Sequence, residues 1–317
     1  MGFFDRFYYG KAGKRDYTEM DMPKNRVSLF FLVFKDRFFD LIKLNALQLV
    51  FWIPFLLWTS LNITAIQSVD VTALTAQDVS GSSVISTVSS YVIMWLVGLI
   101  PCILITGPSS AGAAYVARNW ARDQHAFLFS DFKDAFKSNW KQALGVSAIS
   151  SVMPAMLYTA MMYYSQMATS NMLMFIPLVA VLFVGLMWTL MIPLLYAMMV
   201  GYEMSFKVLI KNSMLMAAAS LPKLVLSRIF TFVPIAALLF ALTMGNGIVL
   251  MIVVVYYLLM GFALSKLIYA SFAHGVFDRY LNPRIEGAVV GQGLRPQDVD
   301  DYMDDEDDED EEPDDEE

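Results

Sequence analysis

The chain has 317 residues, of which 57% are hydrophobic and 16% are charged, whereas a soluble protein contains roughly 45–50% apolar and about 25% charged residues. A water-soluble fold could not bury that much apolar surface, so most of the chain is predicted to lie in a lipid bilayer. This composition excludes an ordinary cytosolic enzyme and a secreted domain. The single cysteine, Cys102, also excludes an internal disulfide and a cysteine-based metal cluster.

The net charge of −8 is distributed very unevenly along the chain. Residues 298–317 hold 16 of the 30 acidic residues and no basic one, so the remaining chain carries 22 basic against 14 acidic residues, a net charge of +8. This acidic C-terminal tail is predicted to be disordered because its like charges repel one another. It is either a solvated appendage or a segment that folds back on the basic body and competes there with lipid or a basic partner.

At the N-terminal end, residues 1–43 carry charges throughout and are predicted to form a cytoplasmic region with interfacial helices. This pattern does not fit a signal peptide, so the first membrane span is expected to act as its own insertion signal.

Six apolar runs follow, each long enough to cross a bilayer, which takes roughly 20 residues. The predicted fold is therefore all-α, a polytopic membrane helical bundle with cytoplasmic amphipathic helices, and its membrane domain covers residues 44–282. A linker and the acidic tail occupy 283–317. Arg228 and Lys266 fall near the ends of the last two spans and are expected to extend toward the headgroups. The six predicted spans are 44–64, 84–106, 143–165, 173–198, 224–244 and 248–270.

The orientation follows from the positions of the basic residues. The alternate loops at 65–83, 166–172 and 245–247 contain no Lys or Arg. Because basic loops stay in the cytoplasm, the sequence predicts a multi-pass protein of the cell membrane with both termini cytoplasmic. The glycines and the asparagine at 245–247 further predict a tight turn that makes the last two spans an antiparallel hairpin.

A weak threefold repeat can also be traced along the chain. Each unit would be a basic amphipathic stretch followed by two spans, the first of which contains a proline: Pro54, Pro154 or Pro234. The alternative interpretation is that basic hairpins of similar composition look alike by chance.

The best-defined amphipathic helix is predicted at 130–141. Ser130 is a suitable N-cap, and Asp131 follows it in the first turn, where the helix dipole favours an acid. Three aromatic residues recur at helical spacing beside a stripe of lysines. The helix is predicted either to lie in the headgroup region against anionic lipid at the cytoplasmic face, or to pack on the cytoplasmic ends of the spans. The aromatic residues are Phe132, Phe136 and Trp140.

The most distinctive stretch begins at Thr106. Pro108 disfavours a helical conformation at Gly107, so the second span is predicted to end or kink there. The small residues that follow, among them Gly112, allow a neighbouring helix to approach closely. We favour this packing interpretation. The alternative is that the N-terminus of the following helix binds an anionic ligand.

These two stretches together resemble the YesL family, a family of bacterial integral membrane proteins with a domain of unknown function. Leu44-Asn45-Ala46-Leu47 is similar to the family's opening segment, and the resemblance covers roughly residues 35–146. Here a further loop and span separate that segment from the Thr-Gly-Pro motif, so the family's number of spans need not transfer. The resemblance implies no established reaction, and the family's genomic association with carbohydrate-uptake systems implies an accessory role in such uptake. The residues on which it rests include Thr106, Gly107, Pro108, Gly112, Arg118, Asp131, Phe132, Phe136 and Trp140.

The sequence therefore favours a non-enzymatic accessory or scaffold protein of the bacterial cytoplasmic membrane, with subunits of a carbohydrate importer as candidate partners. The alternative is a permease for a neutral or amphipathic solute, because prolines in five of the spans could break helices around a midplane site. We expect no catalytic, cofactor-binding or metal-binding residues and no nucleic-acid partner. The only two histidines, His125 and His274, lie outside the predicted spans, and no Walker loop is present.

Overall fold

The computed structural model describes residues 22–67 and 81–296. The first 21 residues, most of the loop at 65–83 and the acidic tail therefore lie outside the described residues. Within the described ranges the chain forms helices joined by short turns and contains no strand, which confirms the predicted all-α fold.

Six of these helices, or runs of joined helices, are long and apolar enough to cross a membrane, so the chain is a multi-pass membrane protein. Three shorter helices of the described ranges lie outside these runs. The helices are α1 Arg26–Asp36, α2 Phe38–Gln67, α3 Gly81–Leu104, α4 Thr106–Trp120, α5 Leu128–Ala168, α6 Phe175–Met199, α7 Phe206–Ala219, α8 Leu221–Met244, α9 Gly247–Tyr256 and α10 Phe262–Tyr280.

The helix α5 corrects the prediction of a separate surface helix at 130–141. Those residues are the first turns of one continuous helix of 41 residues, about 62 Å long at 1.5 Å per residue. The hydrocarbon core of a bilayer is only about 30 Å thick. The aromatic stretch therefore continues the spanning helix and is not a helix of its own.

The break between α3 and α4 falls where the proline predicts it. Pro108 has no N–H to donate to the carbonyl of Leu104, four residues earlier. Ser147 on α5 supplies the missing donor, with its hydroxyl 2.9 Å from that carbonyl oxygen. The kink is therefore stabilised by a neighbouring helix.

The short helix α4 is central in the cross-section of the bundle, where other helices surround it. Nearly all of its side chains are buried, and it contacts α2, α5, α6 and α10. The spans surround it in a ring of pairwise contacts. Around the ring the order of the helices is α2, α3, α5, α6, α8 and α10, and α10 contacts α2 again.

We call the end of the bundle that contains α1, α4, α7 and the start of α5 the basic end, since all Lys and Arg of the described ranges belong to its half of the molecule. Both clusters of buried apolar side chains are concentrated in this half. Toward the opposite end the spans expose large apolar side chains, among them Leu57, Ile176 and Ile252. Such exposure suits contact with lipid.

The last span contains one turn of π-helix, at Tyr257–Gly261, between α9 and α10. Asn45 on α2 satisfies the backbone groups that this turn displaces. Its amide nitrogen donates to the carbonyls of Tyr257 and Leu258, both at 2.9 Å, and its amide oxygen accepts from the N–H groups of Phe262 and Ala263 at 2.9 and 3.1 Å.

The predicted tight turn before α9 is confirmed. Gly245 adopts a left-handed conformation with φ of 64°, and the side chain of Asn246 accepts from the N–H of Val249 to cap α9. The helices α8 and α9 consequently form a hairpin.

Candidate functional site

A cavity of about 680 Å³ opens at the basic end. One wall is the start of α5, and the opposite wall is the segment 199–204, which joins α6 to α7. Tyr115 on α4 contributes to the lining between them.

Helical periodicity determines which α5 side chains face this cavity. Asp131, Asp134, Ser138 and Gln142 recur every three or four residues and therefore share one face of the helix. Gln142 joins the two walls, because its amide nitrogen donates to the carbonyl of Met204 over 2.7 Å. The cavity thus lies between a regular helix and a connecting segment that this hydrogen bond holds against it.

The lining of the cavity is acidic. It contains Asp131, Asp134 and Glu203, and no lysine or arginine of the described residues belongs to it. The carboxylate of Asp131 accepts from the N–H of Phe127 at 2.9 Å, where it helps to begin α5. The carboxylates of Asp134 and Glu203 are exposed and form no ion pair with any described residue. The cavity is therefore suited to a cation or to hydroxyl and amide donors.

A chain of hydrogen bonds lies behind the segment 199–204. The hydroxyl of Tyr202 donates to the side-chain oxygen of Asn282 at 2.5 Å, and the amide nitrogen of Asn282 donates to Asp278 at 2.8 Å. The other oxygen of Asp278 accepts from the guanidinium of Arg26 at 2.6 Å. This chain fixes the cavity wall to α10 and α1.

Arg26 also reaches the C-terminal segment of the described chain. Its guanidinium donates to the carbonyls of Ala121 and Gln292 at 3.0 and 2.9 Å, and Arg122 donates to the side chain of Gln292. Residues 288–296 are in this way attached to α1 and to the end of α4.

Positive charge is in excess behind the cavity. Arg118 packs against Gly201, since a Cβ atom at Gly201 would lie 3.0 Å from the Nε of Arg118. Burial lowers the pKa of both the Arg118 and Arg122 guanidinium groups, which stay charged because the ordinary pKa of arginine lies far above neutral pH. Burial raises the pKa of the nearby Tyr202 hydroxyl, although the two cations oppose this rise, so at neutral pH Tyr202 remains a protonated donor.

The structure places the motif residues predicted from the sequence in two groups. Thr106, Gly107, Pro108 and Gly112 are buried in the packing of α4, which favours the packing interpretation over an anion-binding helix N-terminus. A Cβ atom on Gly107 would lie 2.6 Å from the carbonyl oxygen of Ala143.

The second group lies nearer to the cavity. Asp131 lines it and Arg118 lies behind it. Phe132 is buried against Gly112, Phe136 packs against Phe51 with ring centres 5.6 Å apart, and Trp140 is exposed.

The residues that support the cavity from behind cannot be recognised in the sequence. Asp278 lies in the last turn of α10 and Asn282 lies two residues beyond the end of that helix, so a spacing of four residues brings their side chains together. Nothing in the sequence relates this pair to Arg26, 252 positions away from Asp278.

Comparison with known proteins gives one match. Residues 86–161 match a family model described as a protein of unknown function, DUF624. YesL-like proteins belong to that family, so the resemblance drawn from the sequence is confirmed for this segment. The segment includes α4 with its kink and the wall of the cavity that α5 provides. No curated protein and no solved structure matches the chain.

Proposed function

We propose that the protein is a non-enzymatic accessory component of the bacterial cytoplasmic membrane, which holds a basic segment of a partner membrane protein in the cavity between α5 and residues 199–204. The observation that carries this proposal is the acidic lining of the cavity between the start of α5 and the segment 199–204. Subunits of a carbohydrate importer are the candidate partners because of the family resemblance alone.

The chemistry of the lining supports binding over catalysis. The lining residues that the structure describes include no histidine, the side chain that most often acts as a general acid or base. Within residues 22–67 and 81–296, no three His, Cys, Asp or Glu side chains are grouped closely enough to hold a metal ion. The unpaired carboxylates of Asp134 and Glu203 are suited instead to Lys or Arg of a partner.

The basic end is proposed to face the cytoplasm, with anionic lipid around it. All Lys and Arg of the described chain belong to that half of the bundle, as the positive-inside rule requires. Lys133, Lys137 and Lys141 are exposed along the start of α5 and are available to lipid headgroups. The cavity would then open to the side from which cytoplasmic loops of a transporter are accessible.

The partner is tested by cross-linking in native membranes followed by affinity purification and mass spectrometry. The double variant Asp134→Asn with Glu203→Gln should lose its cross-linked partner, because the charge of the lining is removed. The matched control, Asp36→Asn with Glu286→Gln, removes two exposed acids outside this cavity and should keep the partner. Equal capture by both double variants would contradict the proposal.

The orientation is tested with single cysteines introduced into a Cys102→Ala background. A membrane-impermeant maleimide added to intact spheroplasts should label cysteine at position 169, between α5 and α6, and should spare cysteine at position 137. Labelling only at position 137 would reverse the proposed orientation.

The alternative, a permease for a neutral or amphipathic solute, has one observation in its favour. Gln48 on α2 is completely buried, and neither polar atom of its side-chain amide has a hydrogen-bond partner among the described residues. An unpaired amide within a membrane helix could bind a hydroxyl group of a passing solute. Proteoliposomes should then equilibrate a neutral sugar, and Gln48→Leu should abolish the flux. Equal sugar entry into protein-free liposomes would exclude this function.

A further inference from the structure

Two cations lie inside the membrane helices, away from the cavity. Arg228 is seven residues into α8, about 10 Å from its first residue. The sequence predicts that its side chain extends to the headgroups, but the structure corrects this. The guanidinium donates to the hydroxyl of Tyr269 on α10 at 2.7 Å and also to the carbonyl of Thr189 on α6.

Lys266 on α10 is likewise held between helices. Its ammonium group lies 4.8 Å from the centre of the Tyr196 ring on α6, and the Arg228 guanidinium lies 4.9 Å from the centre of the Tyr269 ring. Lys266 and Tyr269, which accepts from Arg228, are three residues apart on α10 and therefore share one face of that helix. We call Arg228, Lys266, Tyr196 and Tyr269 the three-helix cluster, because they join α6, α8 and α10.

The three-helix cluster contains positive charge without a counter-ion. Neither Arg228 nor Lys266 forms an ion pair with a carboxylate of the described chain, and the Nε atom of Arg228 is buried without a partner. Ring faces and neutral oxygens compensate only part of the cost of removing a cation from water. An anion at this position would supply the missing charge.

The route to this position lies on the lipid side of the bundle. Thr189 is exposed on α6, and the residues next to Arg228 on α8, Ile229 and Phe230, are exposed large apolar side chains. A ligand that enters here therefore needs an anionic group together with an apolar body. Local thinning of the bilayer allows a headgroup to reach a cation at this depth.

We infer that the three-helix cluster binds the phosphate group of an anionic phospholipid, seated between α6 and α8. The phosphate would pair with Arg228 and Lys266, and the acyl chains would lie along the exposed apolar side chains of α8. This site does not depend on the partner-binding role proposed for the cavity.

The test measures lipid binding to the purified full chain by native mass spectrometry and by thermal unfolding in nanodiscs. Phosphatidylglycerol should bind more tightly than phosphatidylcholine and should raise the unfolding temperature. The variant Arg228→Gln should weaken phosphatidylglycerol binding about tenfold, the effect expected from loss of one charge-assisted hydrogen bond. The matched control, Lys211→Gln, removes an exposed charge from α7 and should bind like the unchanged protein.

Two further arms make the result decisive. In the first, inorganic phosphate added to the protein in detergent should not stabilise it. If phosphate alone stabilises the protein as much as phosphatidylglycerol does, the cluster is a site for a free anion and the lipid assignment is wrong. If Arg228→Gln does not fold, Lys266→Gln replaces it with the same expectation. Equal affinity of the unchanged protein for both lipids, or full phosphatidylglycerol binding by a folded Arg228→Gln variant, would also overturn the inference.

Discussion

Asn45 shows how one polar side chain can stabilise an irregular turn inside a membrane. A π-turn displaces backbone groups from the regular hydrogen-bond ladder, and lipid offers them no replacement. The amide of Asn45 pairs with four of these groups at once. The asparagine belongs to the segment that resembles the opening of the YesL family, but the sequence alone does not reveal its partners because they lie more than 200 positions away.

Replacing Asn45 with alanine should destabilise the protein by about 2 kcal/mol, because buried backbone groups lose their partners. Asn62→Ala is the matched control on the same helix. Asn62 is also buried, but it bonds only to the carbonyl of Trp58 in its own helix, so its loss should cost clearly less. Unfolding midpoints in mixed detergent measure both variants, and equal destabilisation would contradict this account of the π-turn.

Asp278 carries the only carboxylate that pairs with the arginines behind the cavity, as far as the described residues show. The Arg26 and Asp278 side chains are each 15% exposed, so their ion pair is largely shielded from solvent. Removing one member of a buried pair leaves the other charge uncompensated. At this site the uncompensated positive charge of Arg26 would add to the positive charge already present at Arg118 and Arg122.

The substitution Asp278→Asn should therefore lower stability by about 2 kcal/mol, a value reduced for the partial exposure of the pair. Asp40→Asn serves as the control. Asp40 also pairs with cations, at 2.9 Å from Lys43, but its side chain is 34% exposed, and the loss should stay within about 0.5 kcal/mol. Thermal unfolding in one detergent compares the two, and a larger loss for Asp40→Asn would refute the argument.

At the scale of whole helices, the contact between α4 and α5 depends on small residues. Cβ atoms built at Gly107 and Gly112 would lie 2.6 and 2.7 Å from backbone carbonyl oxygens of Ala143 and Phe132. Backbone carbonyl oxygens of a helix are fixed in position, so they cannot move to make room for a Cβ atom as a flexible side chain can. The two helices can therefore pack at this distance only if both positions remain glycine.

Gly107→Ala should cost about 1–3 kcal/mol, as expected when atoms are forced into a packed interior. Gly275→Ala is the matched control within a helix, since its nearest neighbour would be a side-chain atom of Arg26 at 4.0 Å. It should be neutral or slightly stabilising, because alanine favours helix over glycine. Chemical unfolding of both variants measures the difference, and a neutral Gly107→Ala would disprove the close packing.

The kink and the start of α5 show what sequence can and cannot predict about elements. Pro108 predicts the break because its ring removes a specific hydrogen bond. The residue that compensates for it, Ser147, lies on another helix and could not be identified from spacing alone. The length of α5 was also missed, because charged and apolar stretches that differ in composition can still form one uninterrupted helix.

At the scale of the molecule, six spans could be predicted from the sequence. A long apolar run can hardly be buried except as a helix that crosses the bilayer. The central position of α4 could not be predicted, since small and moderately polar residues are found both at surfaces and in tight packing. The cavity could not be predicted from the sequence either. Asp131, one of its lining residues, was identified, but the opposite wall came from Tyr202 and Glu203, whose sequence neighbourhood carries no motif.

The acidic tail gives a prediction for the whole molecule. Residues 292–295 are held beside Arg26, Arg122 and Pro23, so the tail leaves the body next to an excess of positive charge. A chain ending at Gln297 should bind a fluorescent peptide of residues 298–317 at low salt and release it as salt screens the attraction.

The full chain, measured by fluorescence anisotropy in the same detergent, is the control for this experiment. It should bind the added peptide more weakly than the shortened chain, because its own tail competes for the basic end. No binding to the shortened chain at low salt would leave the tail as a solvated appendage.

The central position of α4 also has a consequence for biosynthesis. Trp120 and the alanines of α4 pack against Ala263, Leu267 and Ala270 of the last helix. A ribosome delivers α4 well before it delivers α10, so this face of α4 is covered only after α10 has been synthesised. Termination before α10 would leave that face uncovered, and such products should be the ones that membrane quality-control proteases remove first.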